Sequence, residues 1–391
     1  MQPIKWHAFC ILLCAGSDYK RVEQVKTLAS SFEVYGEFGV LVEGIFKRMN
    51  TADPRDRFHS LVVDRVVPET KDCCSIELSV PEASRELFRP QPGQFLTIRA
   101  TIDGRVRLRC YSASNLAEFG EPLRITIKRV EGGTVSSWLN DTLRTGHALE
   151  VAPPAGRFLL RASETQAIFL AAGSGITPIL PMMRFALEVQ GRSIALLYWN
   201  RSPGEAIFVS ALRDLARRFP ETFEYNELYG RRSDPHLSAN LSAFAARHCG
   251  ADGYLCGPAG FMALAKSHLM REQYSEDKLI EENFGNGSEH KLPPSTALLA
   301  TTTIVVHRDG SRREVLCRGN QILLESLLAS GLLAPHSCKE GHCGACVVRL
   351  VNGGVETLPS SALSRRDRQK GLILACRSRP AASEIELSYD F

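Results

Sequence analysis

From residue 59 to about 158, short runs alternate between apolar and polar positions or are dense in β-branched side chains: 59–67, 74–80, 94–99, 123–128 and 148–152. Pro, Gly and Asp fall between them. A period of two puts one face of each run on a core and the other in solvent, which predicts strands. Strands this short at this spacing predict an antiparallel β-barrel over residues 54–158.

After residue 158 the pattern changes. Apolar runs at 167–172, 194–198, 222–225 and 253–256 alternate with stretches of helical period near 178–189, 205–218, 238–248 and 259–271. Strand and helix in turn predict a doubly wound parallel α/β domain over 159–285. A polar, Gly- and Pro-rich stretch follows, read as a linker over 286–300, and a last unit occupies 301–391. Residues 1–53 form an N-terminal extension whose role is not readable. Its apolar run at 8–15, behind Lys5 and His7, is at the lower length limit of a signal-peptide core, lacks a clean small-x-small cleavage site, and is too short to span a bilayer. Met49 is an alternative start, which would leave 1–48 as a non-functional extension.

Composition narrows this only slightly. The 391 residues are too many for one core and fit two or three domains. With 44% hydrophobic and 23% charged residues and a net charge of +4, the chain has the make-up of an ordinary globular protein, and no Lys/Arg run with interleaved aromatics points to nucleic acid. Of the twelve cysteines, Cys10, Cys14, Cys73, Cys74, Cys110, Cys249, Cys256 and Cys317 show no regular framework, which favours a reduced, cytoplasmic protein.

The other four cysteines carry the sharpest chemical signal. Cys338, Cys343 and Cys346 are spaced C-x4-C-x2-C, with Cys376 thirty residues on, the ligand spacing of a plant-type [2Fe-2S] ferredoxin. A loop that wraps a cluster needs glycine where the backbone turns inward, and Gly341 and Gly344 fall there. A structural zinc site would usually show two C-x2-C pairs, and a Rieske centre needs Cys-x-His pairs absent here.

Further motifs lie in the first two domains. Arg109-Cys110-Tyr111-Ser112 joins a cation, an aromatic plane and a hydroxyl at one strand end, which suits a flavin: Arg109 for the pyrophosphate, the Tyr111 ring on the isoalloxazine, and Ser112 near its reactive nitrogen. Alone, the tetrapeptide also fits a plain strand end. Gly132-Gly133-Thr134-Val135-Ser136 then leads into an amphipathic helix whose first N–H groups can hold phosphate. Gly173-Ser174-Gly175-Ile176-Thr177-Pro178 follows an apolar strand and opens a helix, as a dinucleotide pyrophosphate requires, although a ligand-free turn fits too. Cys256-Gly257-Pro258, at the end of a later strand, would face the same crevice.

Together these motifs, in this order, resemble the ferredoxin-NADP reductase superfamily with a fused ferredoxin: the one-chain reductase components of bacterial oxygenases, over about residues 58–391. The resemblance implies a flavin β-barrel, an α/β nucleotide domain and a β-grasp ferredoxin domain. It places Arg109, Tyr111, Ser112, Lys128, Gly133, Val135 and Ser136 on the flavin, and the hexapeptide ending in Ser114 looks more like FAD-using than FMN-using members. It places Gly173, Gly175, Thr177, Cys256, Gly257 and Pro258 on the nicotinamide nucleotide. Glu282 and Phe284 match the acidic-x-aromatic end of the nucleotide domain. Tyr111, Ser112, Cys256 and Glu282 are then the catalytic candidates, and Cys338, Cys343, Cys346 and Cys376 the cluster ligands.

The implied function is an NAD(P)H:acceptor oxidoreductase. Hydride passes to FAD, and single electrons pass through the cluster to a separate oxygenase, hydroxylase or desaturase. Lys339 and His342 are either partner contacts or solvated loop residues. Arg201 and Ser202 follow a strand where the adenosine ribose would lie and lean to NADPH, with no acidic residue immediately there to favour NADH, but relatives that use NADH also carry an arginine at this place. The ferredoxin unit carries twelve Lys/Arg against nine Asp/Glu, unlike acidic plant ferredoxins, so docking through a negative face is not implied. Two competitors stay open: a diaphorase or hybrid-cluster-protein reductase, and a non-catalytic flavin and iron-sulfur redox sensor.

Overall fold

The computed structural model describes residues 58–116, 119–284 and 301–390, apart from 309, 319–320, 333, 337–338, 340, 342, 359, 361 and 364. The N-terminal extension, the linker, Cys338 and His342 therefore lie outside the described residues.

The first sheet contains β1 (His59–Thr70), β2 (Cys73–Ser79), β3 (Phe95–Ile102), β4 (Arg105–Ser112), β5 (Leu123–Lys128) and β6 (Ala148–Ala155), ordered β4-β3-β6-β1-β2-β5. All its pairings are antiparallel. The two outer strands meet through a bridge between Ala113, just past β4, and Ile125 of β5, which closes the sheet into a barrel. Inward residues such as Leu61, Val63, Ile76, Leu96, Ile98 and Ile125 form its core, and α1 (Thr134–Thr142) adds Val135 and Leu139.

The second sheet is wholly parallel: β7 (Ala167–Ala172), β8 (Ile194–Asn200), β9 (Phe223–Tyr229), β10 (Asp252–Cys256) and β11 (Leu279–Glu282), ordered β11-β10-β7-β8-β9. Alternate residues of β7 feed two cores. Phe169 and Ala171 join the side of α2 (Ile176–Arg184) and α3 (Val209–Arg218), while Ile168, Leu170 and Ala172 join that of α4 (Pro235–Arg247) and α5 (Ala259–Arg271). The direction of winding reverses at β7, so the crevice outside the carboxyl ends of β7 and β10 is where such a sheet takes its ligand.

Two expectations are corrected here. The stretch 205–218 is not one helix: a 3-10 turn covers Pro203–Glu205, Phe208 takes a left-handed φ of 61°, and α3 starts only at Val209. The strand over 222–225 runs on to Tyr229.

The C-terminal unit has β12 (Thr301–Arg308), β13 (Ser311–Arg318), α6 (Leu323–Ala329), β14 (Val347–Asn352), β15 (Val355–Thr357), α7 (Arg365–Gln369), β16 (Leu372–Leu374), β17 (Ser378–Pro380) and β18 (Glu384–Ser388). Its main sheet runs β13-β12-β18-β14-β16, with β18 parallel to β12, and α6 packs Leu323, Leu324 and Leu327 onto it in the manner of a β-grasp fold. Among the described residues, no helix is long and apolar enough to cross a membrane.

Candidate active site

The flavin motif ends β4. Ser112 lies opposite Phe95 in β3, is 2% exposed, and its buried Oγ has no hydrogen-bond partner among the described residues. A buried hydroxyl without a partner costs free energy, so this atom awaits a ligand group. Tyr111 packs its ring against the barrel core, and burial pushes its phenol well above the ordinary value, keeping it neutral. Arg109 donates to the Leu108 carbonyl at 2.7 Å.

At the second flavin segment, a Cβ on Gly133 would stand 2.6 Å from Ser136 Oγ and 2.9 Å from Val130 Cβ, so the turn closes only on glycine. Ser136 Oγ accepts from the Val130 N–H at 3.1 Å, and Val135 is buried in the barrel. What these residues can offer a phosphate is thus the backbone N–H groups at the start of α1, not their side chains. Lys128 is engaged elsewhere: its Nζ lies 3.7 Å from Asp72 and 3.6 Å from Glu205, in the turn after β8.

Around the crevice of the parallel sheet the motifs converge. A Cβ on Gly175 would lie 2.2 Å from the Cys256 carbonyl oxygen and 2.8 Å from the Gly257 nitrogen, so the turn after β7 and the turn after β10 touch backbone to backbone. Gly173 takes a φ of 55° in the same turn, and Thr177 Oγ1 donates to the Ser174 carbonyl at 2.9 Å, fixing the start of α2. Pro258 caps α5, a second helix start on the same crevice.

Cys256 and Glu282 are register partners on adjacent parallel strands. The Cys256 thiol is fully buried, and burial first, then the Glu282 carboxylate, pushes its pKa well up. Glu282 is half-buried as a residue, yet its Oε2 is shut off from solvent with no partner, and burial raises the carboxyl to about 8. The side chain is therefore protonated at neutral pH and has a proton to donate. Phe284 follows directly, 37% exposed.

An acidic side chain does stand beside Arg201, where none was expected. Because the helix begins four residues late, the 3-10 turn folds Glu205 back onto Arg201, accepting from Nε at 3.0 Å and Nη2 at 2.8 Å. Arg201 itself is 71% exposed, and Ser202 caps the turn. Sequence reasoning missed Glu205 because the helix-like spacing of 205–218 assigned it to a helix instead of this turn.

In the C-terminal unit Cys346 and Cys376 are buried and Cys343 is half-buried. Gly341 and Gly344 hold φ of 81° and 70°, the left-handed turns that a loop wrapped around a cluster needs. A Cβ on Gly341 would stand 2.6 Å from the Arg377 side chain next to Cys376, so the ligand loop and the fourth-cysteine segment close on each other. Lys339 is exposed with a φ of 58°. Among the described residues, no three His, Cys, Asp or Glu side chains meet as a metal site, and Cys338 lies outside them. The donor set suits an iron-sulfur cluster in kind: three described thiols, two of them buried, on glycine-shaped backbone.

Comparison with known proteins agrees with this division. Residues 61–159 match the family model of an oxidoreductase FAD-binding domain, 169–267 that of an oxidoreductase NAD-binding domain, and 306–381 that of a 2Fe-2S iron-sulfur cluster binding domain. The chain is 35% identical over 344 residues to the ferredoxin reductase component of 3-ketosteroid-9-alpha-monooxygenase from Mycolicibacterium smegmatis, covering 84% of this chain and 96% of that one. It is 30% identical over 349 residues to a component of the 1,2-phenylacetyl-CoA epoxidase of Escherichia coli, covering 85% and 98%. In structure it is similar to phthalate dioxygenase reductase, with a TM-score of 0.56 and 25% identity, over 86% of this chain and all of that one. With its FAD-binding barrel, NAD-binding sheet and 2Fe-2S domain in one polypeptide, the chain belongs to the family of iron-sulfur flavoprotein reductases that serve as reductase components of oxygenase systems.

Proposed function

We propose that this protein takes reducing equivalents from NAD(P)H and hands them singly to a separate terminal oxygenase, hydroxylase or desaturase in the cytoplasm. Bound FAD accepts a two-electron hydride and gives up electrons one at a time, and a [2Fe-2S] cluster carries those single electrons onward. The observation that carries the reading is that, of the buried oxygens without a partner among the described residues, Ser112 Oγ and Glu282 Oε2 end the two motif-bearing strands of the sheets that match FAD-binding and NAD-binding family models.

Ser112 holds a hydrogen bond to the reactive edge of the isoalloxazine, Tyr111 stacks on its face, and Arg109 takes the pyrophosphate. The N–H groups at Gly133, Val135 and Ser136 hold phosphate, with Lys128 as the nearby cation. Gly173, Gly175 and Thr177 shape the nucleotide pyrophosphate turn. Cys256, Gly257 and Pro258 form the floor under the nicotinamide, with Phe284 at the flavin face. Glu282 keeps a proton at neutral pH beside that floor. Cys338, Cys343, Cys346 and Cys376 hold the cluster.

For nucleotide choice we favour NADH. A carboxylate at Glu205 accepts hydrogen bonds from ribose hydroxyls, repels a 2′-phosphate, and occupies the guanidinium of Arg201 that such a phosphate would need. Glu205→Gln should therefore raise kcat/KM for NADPH relative to NADH by about tenfold, the scale of relieving a like-charge contact. An unchanged ratio in steady-state assays would remove Glu205 from specificity.

The function itself is tested by anaerobic titration with NADH and NADPH, followed by visible and EPR spectroscopy. Flavin and cluster bands should both bleach, with the signal of a reduced [2Fe-2S] centre. Serine at any one of the four ligand cysteines should abolish cytochrome c reduction and leave ferricyanide reduction intact. Survival of both activities would overturn the electron route.

A further inference from the structure

An ion pair joins the flavin barrel to the cluster unit. Arg157 Nη2 lies 2.9 Å from Asp367 Oδ1, between residues 210 apart in sequence. The side chains are 46% and 22% exposed, so the pair contributes little to stability. Its placement is what distinguishes it.

On the barrel side, Arg157 stands on a rigid path from the flavin motif. Phe95 is the register partner of both Ser112 and Ala155, so Ser112, Phe95 and Ala155 lie abreast across three strands. Two strand spacings separate the outer pair, roughly 10 Å. Gly156, at a φ of 127°, then turns the chain, and a Cβ there would stand 3.0 Å from the Phe95 ring. Phe158 on the other side is 3% exposed. The backbone at Arg157 is thus pinned from both flanks.

On the other side, the arginine reaches the cluster loop itself. A Cβ on Gly344, between Cys343 and Cys346, would lie 3.8 Å from Arg157 Cδ. Asp367 sits on α7, which leads through β16 to Cys376. One side chain therefore lies beside the ligand loop and pairs with the helix that precedes the fourth cysteine.

The geometry points to Arg157, with Asp367, as the positioning pair that docks the cluster loop against the flavin end of the barrel and so sets the rate of electron transfer from flavin to cluster. The inference rests on the proposed function. In the step it serves, one electron leaves the reduced flavin and enters the oxidised cluster, with no bond made or broken. Neither residue takes part in hydride transfer. An ion pair this exposed is weakened by salt, so the docked arrangement is releasable, as a carrier that must also reach an external acceptor requires.

The test uses the full-length holoprotein as wild type, Arg157→Glu, Asp367→Arg and the double charge swap. Anaerobic stopped-flow absorbance resolves flavin reduction by NADH from the cluster reduction that follows, and small-angle scattering gives the radius of gyration. Flavin reduction should keep the wild-type rate in all four. Each single variant should slow cluster reduction at least tenfold, about the cost of a small misplacement of reacting groups, and increase the radius of gyration. The double swap should restore both. Wild-type cluster reduction in the single variants, or a double variant as slow as they are, would overturn the inference. If the wild-type flavin bleaches and its cluster never does, the electron route fails instead, and the scattering arm alone decides whether the pair docks the unit.

Discussion

Glu282 carries a strong pH signature. Burial lifts its carboxyl from 4.5 to about 8, so between those values the folded chain binds a proton that the unfolded chain releases. The sign follows: the contribution to stability is complete below 4.5, declines as pH rises, and is gone above 8. Glu282→Gln has no such proton to lose. Thermal unfolding of the cofactor-free protein should show the wild type losing several degrees relative to this variant between pH 5 and pH 8, and parallel curves would mean that the carboxyl is ionised in the fold. The same variant should slow flavin reduction by nicotinamide if the held proton serves the reaction.

At the scale of elements, the turn after β7 uses two glycines for two different reasons. Gly173 needs its conformation: its φ is 55°, and a Cβ there would meet nothing within 4 Å. Gly175 needs room: its φ of −59° suits any residue, but a Cβ would collide with the Cys256 carbonyl. Gly175→Ala should push the turns after β7 and β10 apart, costing about 1–3 kcal/mol of stability as overpacking does and weakening nucleotide binding. Gly173→Ala should cost about 1 kcal/mol from backbone strain. Denaturant unfolding and nucleotide titration measure both, and equal binding losses in the two variants would contradict the distinction.

What could be read in the sequence at this scale follows burial. β7 was legible because both faces are covered, giving an unbroken apolar run. Only the last four residues of β4 stood out, as a motif, because Arg105–Leu108 is charged and partly exposed on the barrel wall. β11 has four residues and no period to read, so Glu282 was placed by resemblance to the family and not by pattern. The cluster cysteines were legible because their spacing is itself the chemistry, whereas Glu205 and Arg157 depend on a turn and a docking contact that leave no local trace.

In the molecule as a whole, four cores of the described residues divide the labour, two of them on the faces of the parallel sheet. The barrel, the parallel sheet and the C-terminal unit each bury their own apolar residues, though Cys73 of the barrel and Phe158 also pack into the core of the parallel sheet. Between the first two units the contacts are extensive: Arg184 pairs with Glu121 at 2.6 Å, Lys128 faces Glu205, and a Cβ on Gly93 would stand 3.0 Å from Met182 Sδ. The joint to the cluster unit is of another kind, an exposed pair of charges. On the proposed function, the first interface would bring nicotinamide and flavin together, and the second would join flavin and cluster.

The separation of 210 positions between Arg157 and Asp367 also bears on how the protein is made, through the residues it spans. They contain the entire parallel sheet, and closing so long a loop costs entropy that one exposed ion pair does not repay. The pair therefore nucleates nothing and forms only after its three units have folded. Synthesis proceeds from the N-terminus and domains fold as they emerge, so on the ribosome the barrel and the parallel sheet are assembled while the cysteine loop is still unmade.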